Sequence, residues 1–529
     1  MSVGALLVVV MDLKLLPLGL VILYILSSIW QFFRLRRFPG PRLTGLSNIP
    51  HSRAMLRGDC HRWYADLNRR YVRRPNVDLL FLELLSGPIA RVAPNILITS
   101  SPEVWAHVNN TPGYRRSPWY YNACRIEHRR DNVFSETDNE KHDRRRKQMA
   151  PGYSGRENLD LEASIDECVA QFIGLVRSKY VSSGEKTVHM DLATRVQFFT
   201  LDVISKVGLG TAFGMLEADD DIDDYLKSSA EGLAVGNTAL AMGISWLAHS
   251  PLLGKFIAPS PGDNNGFGKM MALSFRYVDQ RAANPTDKRS DMLASFIRHG
   301  LSGDELRTEA LEQIVAGSDT TATAIRAALL HIMTNPRVCA KLQREIDNAV
   351  RHGQAPAAGH GLISATQAKQ LPYLQAVMRE AMRVHPPVTN IFSRDVPAAG
   401  DLVTVSSCDG TKAWLPGGVS IGYSAYAMHR DREIYGADAD AFRPERWFEA
   451  DREKLRVMTA TNELIFGHGK FQCLGKKVAQ VELGKLIFET FRNFDMAVVN
   501  PTRPWTLHNC LGLLHITDMW VQVSKRTTS

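Results

Sequence analysis

Phe466-Gly467-His468-Gly469-Lys470-Phe471-Gln472-Cys473-Leu474-Gly475 places one cysteine in a glycine-punctuated loop followed by a long helical pattern. At ordinary residue frequencies this spacing of Phe, Gly, Cys and Gly arises in roughly one such chain in ten thousand. A buried structural cysteine is therefore the weaker reading. Cys473 stands just before a helix expected to start near Gly475. The unpaired N–H groups and positive dipole end of that helix favour a thiolate over a thiol. Gly469 and Gly475 let the backbone turn and approach a flat group where a β-carbon would collide.

Upstream, Ala316-Gly317-Ser318-Asp319-Thr320-Thr321 lies in a proline-free run from about Thr308 to Asn335 with helical periodicity. An acid and hydroxyls inside an apolar helix need a reason. Gly317 weakens the helix by about 1 kcal/mol relative to Ala. The Thr320 hydroxyl is placed to bond back to the Ala316 carbonyl and open the ladder locally. On its own, a polar face of a core helix explains the Thr-Thr pair equally well.

Glu380-Ala381-Met382-Arg383 puts an acid and a base at i,i+3 on one helix face. His385-Pro386-Pro387 ends that helix. In Phe442-Arg443-Pro444-Glu445-Arg446-Trp447, Arg446 would complete a triad, since buried charges survive when paired and hydrogen-bonded.

In this order the segments resemble the cytochrome P450 family, specifically its membrane-anchored, pisatin demethylase-like branch of fungal secondary metabolism. The resemblance covers nearly everything from Pro39 onward. It implies heme b with Cys473 as axial iron ligand, a thiolate that pushes electron density towards O–O cleavage. Phe466 and Gly469 belong to the same cofactor loop. It also implies that Asp319 relays protons and Thr320 donates to dioxygen bound opposite the cysteine. Glu380, Arg383 and Arg446 match the structural triad, which braces the heme side without taking part in chemistry. Arg394 matches the propionate-binding arginine. His142 and Arg146, spaced i,i+4, resemble a Trp-x-x-x-Arg pair with His in place of Trp. One position departs from the pattern: two residues before the cysteine most members carry Arg or His to meet a propionate, and here it is Phe471.

The implied activity is insertion of one oxygen atom from O2 into a hydrophobic small molecule. Electrons would come from NADPH through a separate NADPH-cytochrome P450 reductase, with cytochrome b5 as a second candidate donor. Arg144, Arg145 and Lys147 read equally well as a solvated face, though a basic patch beside the thiolate would draw an acidic donor. Two rivals are a heme-thiolate isomerase or dehydratase, which needs no external electrons, and a non-catalytic heme-binding membrane protein. Asp319 and Thr320 together argue against the first, and Thr320 against the second.

The 529 residues are 45% hydrophobic and 22% charged, enough for a sizeable core and too ordered a composition for wholesale disorder. The motifs run from His142 to Gly475, which favours one large catalytic domain. Helical periods dominate from Leu159 to Arg383, so the class is mainly α with a smaller β region near Asn95 and from Leu402 to Ile421. Gly87 to Asn95 leads into the expected first strand pair. Seven cysteines without paired spacing suit a reducing compartment. A net charge of +8 without a basic-aromatic stripe implies no nucleic-acid partner. Gly208 to Gly214 falls short of a dinucleotide fingerprint because Phe213 occupies the third glycine.

From Leu15 to Phe33 run 19 uncharged residues, followed by Arg34, Arg36 and Arg37. That length just spans a bilayer, and the arginines would stay cytosolic. The expected organisation is a membrane anchor over 1–33, a basic proline hinge over 34–41 and the catalytic domain over 42–529. The expected location is the endoplasmic reticulum membrane, single-pass, with the domain in the cytosol. Met11 is an alternative start. Val72 to Ser86 reads as an insertion between Tyr71 and Gly87, either a surface extension or a translated intron. The acidic run Glu217 to Asp224 reads as a solvated helix start. Pro259, Pro261 and Gly266, beside apolar Ala239 to Leu247, suggest a mobile entrance at the membrane, with core packing an equal reading. Asn109-Asn110-Thr111 is a glycosylation sequon that would report topology.

Overall fold

A long central helix organises the molecule. The computed structural model describes residues 19, 22–23, 25–72, 88–284, 289–357, 359–405 and 410–526. The helices that build the site are α1 (Asn139–Tyr153), α2 (Leu192–Leu209), α3 (Tyr225–Met242), α4 (Gly266–Ala282), α5 (Gly303–Met333), α6 (Pro372–Val384) and α7 (Lys476–Asn493). At 31 residues, α5 is about 46 Å long. It packs against α2, α4, α6 and α7. The helix read from Thr308 to Asn335 is therefore present and starts five residues earlier, with Asp304 and Glu305 placed favourably in its first turn.

Local chemistry fixes the ends. Asp138 caps α1 by accepting from the backbone N–H groups of Glu140 and Lys141, and Asp191 caps α2 through Ala193 and Thr194. Gly210, at φ 79°, closes α2 in the left-handed conformation. Between them, Phe199, Val196 and Val203 are fully buried, joining the core formed with Ala310, Ile314 and Ile325 of α5.

The main sheet is built from β1 (Ile89–Ala93), β2 (Ile96–Thr99), β3 (Arg115–Arg116), β4 (Asn390–Asp395) and β5 (Ser420–Ser424). Its order is β1-β2-β5-β4-β3, with β2 and β5 parallel and the other pairs antiparallel. The first strand pair forms as expected, but β1 is buried along its whole length and does not alternate, because helices and the chain from Leu35 to Phe38 cover it. The sequence reading also missed strands near the C-terminus: β6 (Thr506–Cys510), β7 (Leu513–Thr517), and the segments Phe494–Val498 and Trp520–Lys525. They are short, and their pairing partners lie on other segments, Trp520–Lys525 pairing with Phe494–Val498.

Among the described residues no helix is long and apolar enough to cross a membrane. The expected span from Leu15 to Phe33 lies partly outside the described residues, as do 73–86 of the expected insertion. The described part of the N-terminal segment docks on the sheet, where the buried Arg91 donates to the carbonyls of Gln31 (3.0 Å) and Phe32 (3.3 Å). The acidic run does precede a helix: Asp221 accepts from the N–H groups of Leu226 and Lys227 in the first turn of α3. Asp219 is not solvated, however, and binds Arg195 (3.0 Å) and the Tyr180 hydroxyl (2.7 Å). Asn109 is buried, and its amide donates to the Trp105 carbonyl at 2.7 Å. A glycan on Asn109 would therefore have to be added before the domain folds.

Candidate active site

Between α5, β4, the loop before α7 and the segment from α3 to α4 lies a cavity of about 960 Å³. That is the top of the range for one small-molecule site, so there is room for more than one bound group. Cys473 and Thr320 both line it.

The cysteine loop is held by its own backbone. The Cys473 N–H donates to the Phe466 carbonyl at 2.7 Å, and Gly475 caps α7, which begins at Lys476. Burial raises the Cys473 thiol above its usual value; backbone N–H groups of Gly475 and Lys476, with the charges of Arg146 and Lys476, pull it down. The net direction favours the thiol in the protein alone, and these donors and charges would support a thiolate once a metal cation is bound to the sulfur. Gly469 is required by its φ of 58°, and a β-carbon there would come within 2.9 Å of the Asn109 carbonyl oxygen. Gly475 needs no such conformation, since φ is −80°. Its expected role in the turn is therefore corrected, and Gly467, at φ 75°, makes the turn instead.

Across the cavity, the Thr320 hydroxyl donates to the Ala316 carbonyl at 2.9 Å, the back-bond expected from the sequence. Gly317 lies against Ile204 of α2, where a β-carbon would meet it at 2.8 Å. Asp319 does not line the cavity. Its carboxylate accepts from Gln197 Nε2 at 2.8 Å, and the Gln197 amide oxygen accepts from Arg326 at 2.8 Å. Gln197 and Arg326 were not singled out from sequence; a buried Arg near the end of α5 was the available signal.

At the edge of the cavity the predicted basic groups converge. Arg394, His142 and Arg146 all line it. Arg394 Nη1 donates to the Tyr121 hydroxyl and the Phe392 carbonyl, while its buried Nε has no partner among the described residues. Arg146 has no hydrogen-bonding or ion-pair partner among the described residues. His142 is buried, with Nδ1 paired to Asp143 at 2.8 Å and Nε2 without a partner among the described residues. Burial, then the Arg116 charge, lower its pKa to about 3, against the pull of Asp143. Arg116 was missed by sequence reasoning. It is buried on the two-residue strand β3, lines the same cavity and has an Nε without a partner among the described residues. Burial lowers its pKa to about 10.

Two further features shape the wall. In β4, Ile391 (φ 76°) and Phe392 (φ 35°) adopt positive φ at a register shift, strain of order 1–3 kcal/mol each that turns Phe392 into the cavity just before Arg394. Outside the cavity the triad is assembled. Arg383 donates to both Glu380 oxygens at 2.8 Å, Arg446 Nε donates to Oε1 at 2.8 Å and Trp447 Nε1 donates to Oε2 at 3.1 Å. Burial alone would raise Glu380, but Arg383 and Arg446 hold it below its ordinary value.

A helical fold whose cavity ends on a loop-held cysteine, edged by basic side chains with nitrogens that have no partner among the described residues, fits an anionic cofactor held through sulfur. A family model for cytochrome P450 matches residues 93–518. The chain is 38% identical over 508 residues to cytochrome P450 monooxygenase ABA1 of Pyricularia oryzae, with 94% of each chain covered. It is 34% identical over 496 residues to cytochrome P450 monooxygenase aba1 of Botryotinia fuckeliana, covering 93% of this chain and 92% of that one. It is 31% identical over 502 residues to cytochrome P450 monooxygenase abl1 of Leptosphaeria maculans, covering 92% and 82%. The chain belongs to the cytochrome P450 family and is a monooxygenase of that family, an oxidoreductase.

The family implies a heme-thiolate cofactor, and the residues fit it. Cys473 offers a sulfur to the cavity, while Arg116 Nε, Arg394 Nε, His142 Nε2 and the Arg146 guanidinium lack partners that two carboxylates would supply. A carboxylate beside His142 would also favour its doubly protonated ring.

Proposed function

We propose that this chain is an endoplasmic-reticulum-anchored monooxygenase of fungal secondary metabolism, inserting one oxygen atom from O2 into a hydrophobic small molecule. NADPH serves only indirectly, through a separate reductase, with cytochrome b5 as a second donor. The observation that carries this reading is the placement of Cys473 and Thr320 on one largely apolar cavity edged by unpartnered cations.

Bound heme b supplies dioxygen activation. Cys473 holds it by its thiolate, and Arg116, Arg394, His142 and Arg146 neutralise its carboxylates. Thr320, whose hydroxyl rests on the Ala316 carbonyl, would turn to donate a hydrogen bond into the cavity it lines. Asp319 passes protons towards Thr320 from the Gln197 side of α5, and Gln197 and Arg326 fix its carboxylate. Glu380, Arg383 and Arg446 hold the segment from His429 to Arg443 through the His429, Tyr435, Ala439 and Ala441 carbonyls and the Arg443 N–H.

The anchor occupies 1–33 and the basic proline segment 34–41 leads into the catalytic domain. The arginines after Phe33 support a cytosolic domain. Exposed Trp246, Leu252, Leu253, Phe256 and Ile257, beside the cavity-lining Leu247 and Pro259, support an entrance that faces the membrane. Pro261 lies outside the cavity lining.

The test is incubation of reductase-supplied microsomes carrying the protein with metabolite extract of the native organism. A product one oxygen atom heavier than a consumed compound, formed only with NADPH, is expected. A product isomeric with its precursor and formed without NADPH would overturn the monooxygenase reading in favour of a rearranging enzyme.

A further inference from the structure

Glu312 is an acid in the wall of a mainly apolar cavity. It stands on α5 one turn before Ala316 and two before Thr320, lines the cavity and is 7% exposed. Its Oε2 accepts from Asn132 Nδ2 at 2.9 Å. Its Oε1 receives no hydrogen bond among the described residues.

Asn132 is not free to turn and cover that oxygen. Its Oδ1 accepts from the N–H groups of Phe134 (2.9 Å) and Ser135 (2.7 Å), and its own N–H donates to Ser135 Oγ at 3.1 Å. Nδ2 is thereby aimed at Glu312. The contrast with Glu309, one turn away, is informative. Glu309 has both oxygens satisfied, by Arg145 Nη1 at 2.6 Å and by the Val133 N–H at 3.0 Å, as a structural buried acid requires. Oε1 of Glu312 is not enclosed by protein: it is left open to the cavity, with its hydrogen-bonding capacity unused by the described residues.

The groups facing Glu312 are Glu309 from its own helix, Arg116 from β3, Asn132 from the loop before α1, Tyr153 at the end of α1 and Cys124 from the segment after β3. Burial, then the Glu309 charge, push its carboxyl up to about 8, while Arg116 and Asn132 oppose them. Near neutral pH it is an uncharged acid, able to donate as well as accept.

Resting on the monooxygenase reading above, we propose that Glu312 anchors the substrate: its free carboxyl oxygen binds a carbonyl or hydroxyl oxygen of an otherwise hydrocarbon molecule and orients it along α5. The rise from Glu312 to Ala316 and Thr320 places the oxidised carbon about 6–12 Å from the anchored oxygen. The substrate class is therefore a mono-oxygenated, largely hydrocarbon compound, not a bare hydrocarbon.

Holoenzyme with a thiolate-type carbon-monoxide band is titrated with 2-decanone and with decane, following the Soret shift on ligand entry. One buried hydrogen bond of about 1.4 kcal/mol gives about a tenfold preference for 2-decanone in the wild type. Glu312→Leu removes that preference, while Glu312→Gln, which still donates and accepts, keeps most of it. Retention of the preference in Glu312→Leu, or its full loss in Glu312→Gln, overturns the anchor. Should Glu312→Leu fail to hold heme, the pH profile decides. Wild-type 2-decanone binding weakens from about pH 6.5 to about pH 9 as the donor is lost, whereas Glu312→Gln stays flat; a flat wild-type profile contradicts the proposal. Absence of the thiolate-type band in the wild type would instead overturn the monooxygenase reading itself.

Discussion

The guanidinium carbon of Arg394 lies 4.2 Å from the centroid of the Phe471 ring. Arg116 sits 5.0 Å from the same centroid, and the His142 ring centroid is 5.2 Å away. The residue that departs from the family pattern is thus the surface against which the cofactor-facing cations gather. A further cation at this position would repel Arg116 and Arg394; a neutral π face attracts them.

Phe471→Leu keeps apolar bulk and removes that face. Two cation–π contacts at about 0.5–1 kcal/mol each amount to roughly a 5- to 30-fold faster release of heme. The rate of heme transfer to apomyoglobin measures it. An unchanged rate would mean that Phe471 is only a spacer.

Thr320→Ala should bind heme normally and waste reducing equivalents, because proton delivery loses the hydroxyl that now rests on the Ala316 carbonyl at 2.9 Å. Product formed per NADPH consumed should fall several-fold, by analogy with the loss of about 1–2 kcal/mol from one hydrogen bond. Equal coupling in both proteins would reduce Thr320 to a core hydroxyl.

Glu380→Gln should be severely destabilised, since Arg383 and Arg446 are buried and both depend on this carboxylate. Breaking such a network costs about 3–5 kcal/mol. The denaturant midpoint should drop and little heme should be retained. A midpoint near that of the wild type would show that the arginines find other partners.

Stability should also carry a pH signature of the cavity acids. Burial pushes Glu309 up to about 7 and Glu312 up to about 8. A carboxyl whose folded pKa is raised contributes stability below its unfolded pKa, and that contribution is lost as pH rises through the folded value. The wild type should therefore lose thermal stability relative to Glu312→Gln between about pH 4.5 and about pH 8. Parallel melting curves across that range would contradict a buried, protonated Glu312.

What the sequence carried and what it did not follow from range. The cysteine loop, α5 and Glu380 with Arg383 were legible because their chemistry is local: a few residues at fixed spacing define a turn, a groove or a helix face. Arg394, His142 and Arg146 were legible only through family order, since nothing local distinguishes them from other surface cations. Arg116 was invisible, because a two-residue strand gives no periodic signal and its neighbours Phe471, Tyr121 and Phe134 come from distant segments. Glu312 was overlooked within a helix whose acids look alike in sequence. Only the placement of Asn132 against it and of Arg145 against Glu309 separates the two. Phe494–Val498 and the strands that follow were missed because pairing partners, not local pattern, make them strands.

The central claim is that Cys473 is the ligand on which the site is built. The most direct measurement is the reduced carbon-monoxide difference spectrum of the purified full chain and of Cys473→Ala. The wild type should show the red-shifted Soret band of a thiolate-ligated heme, and the variant should lack it. Survival of that band in Cys473→Ala would contradict the account.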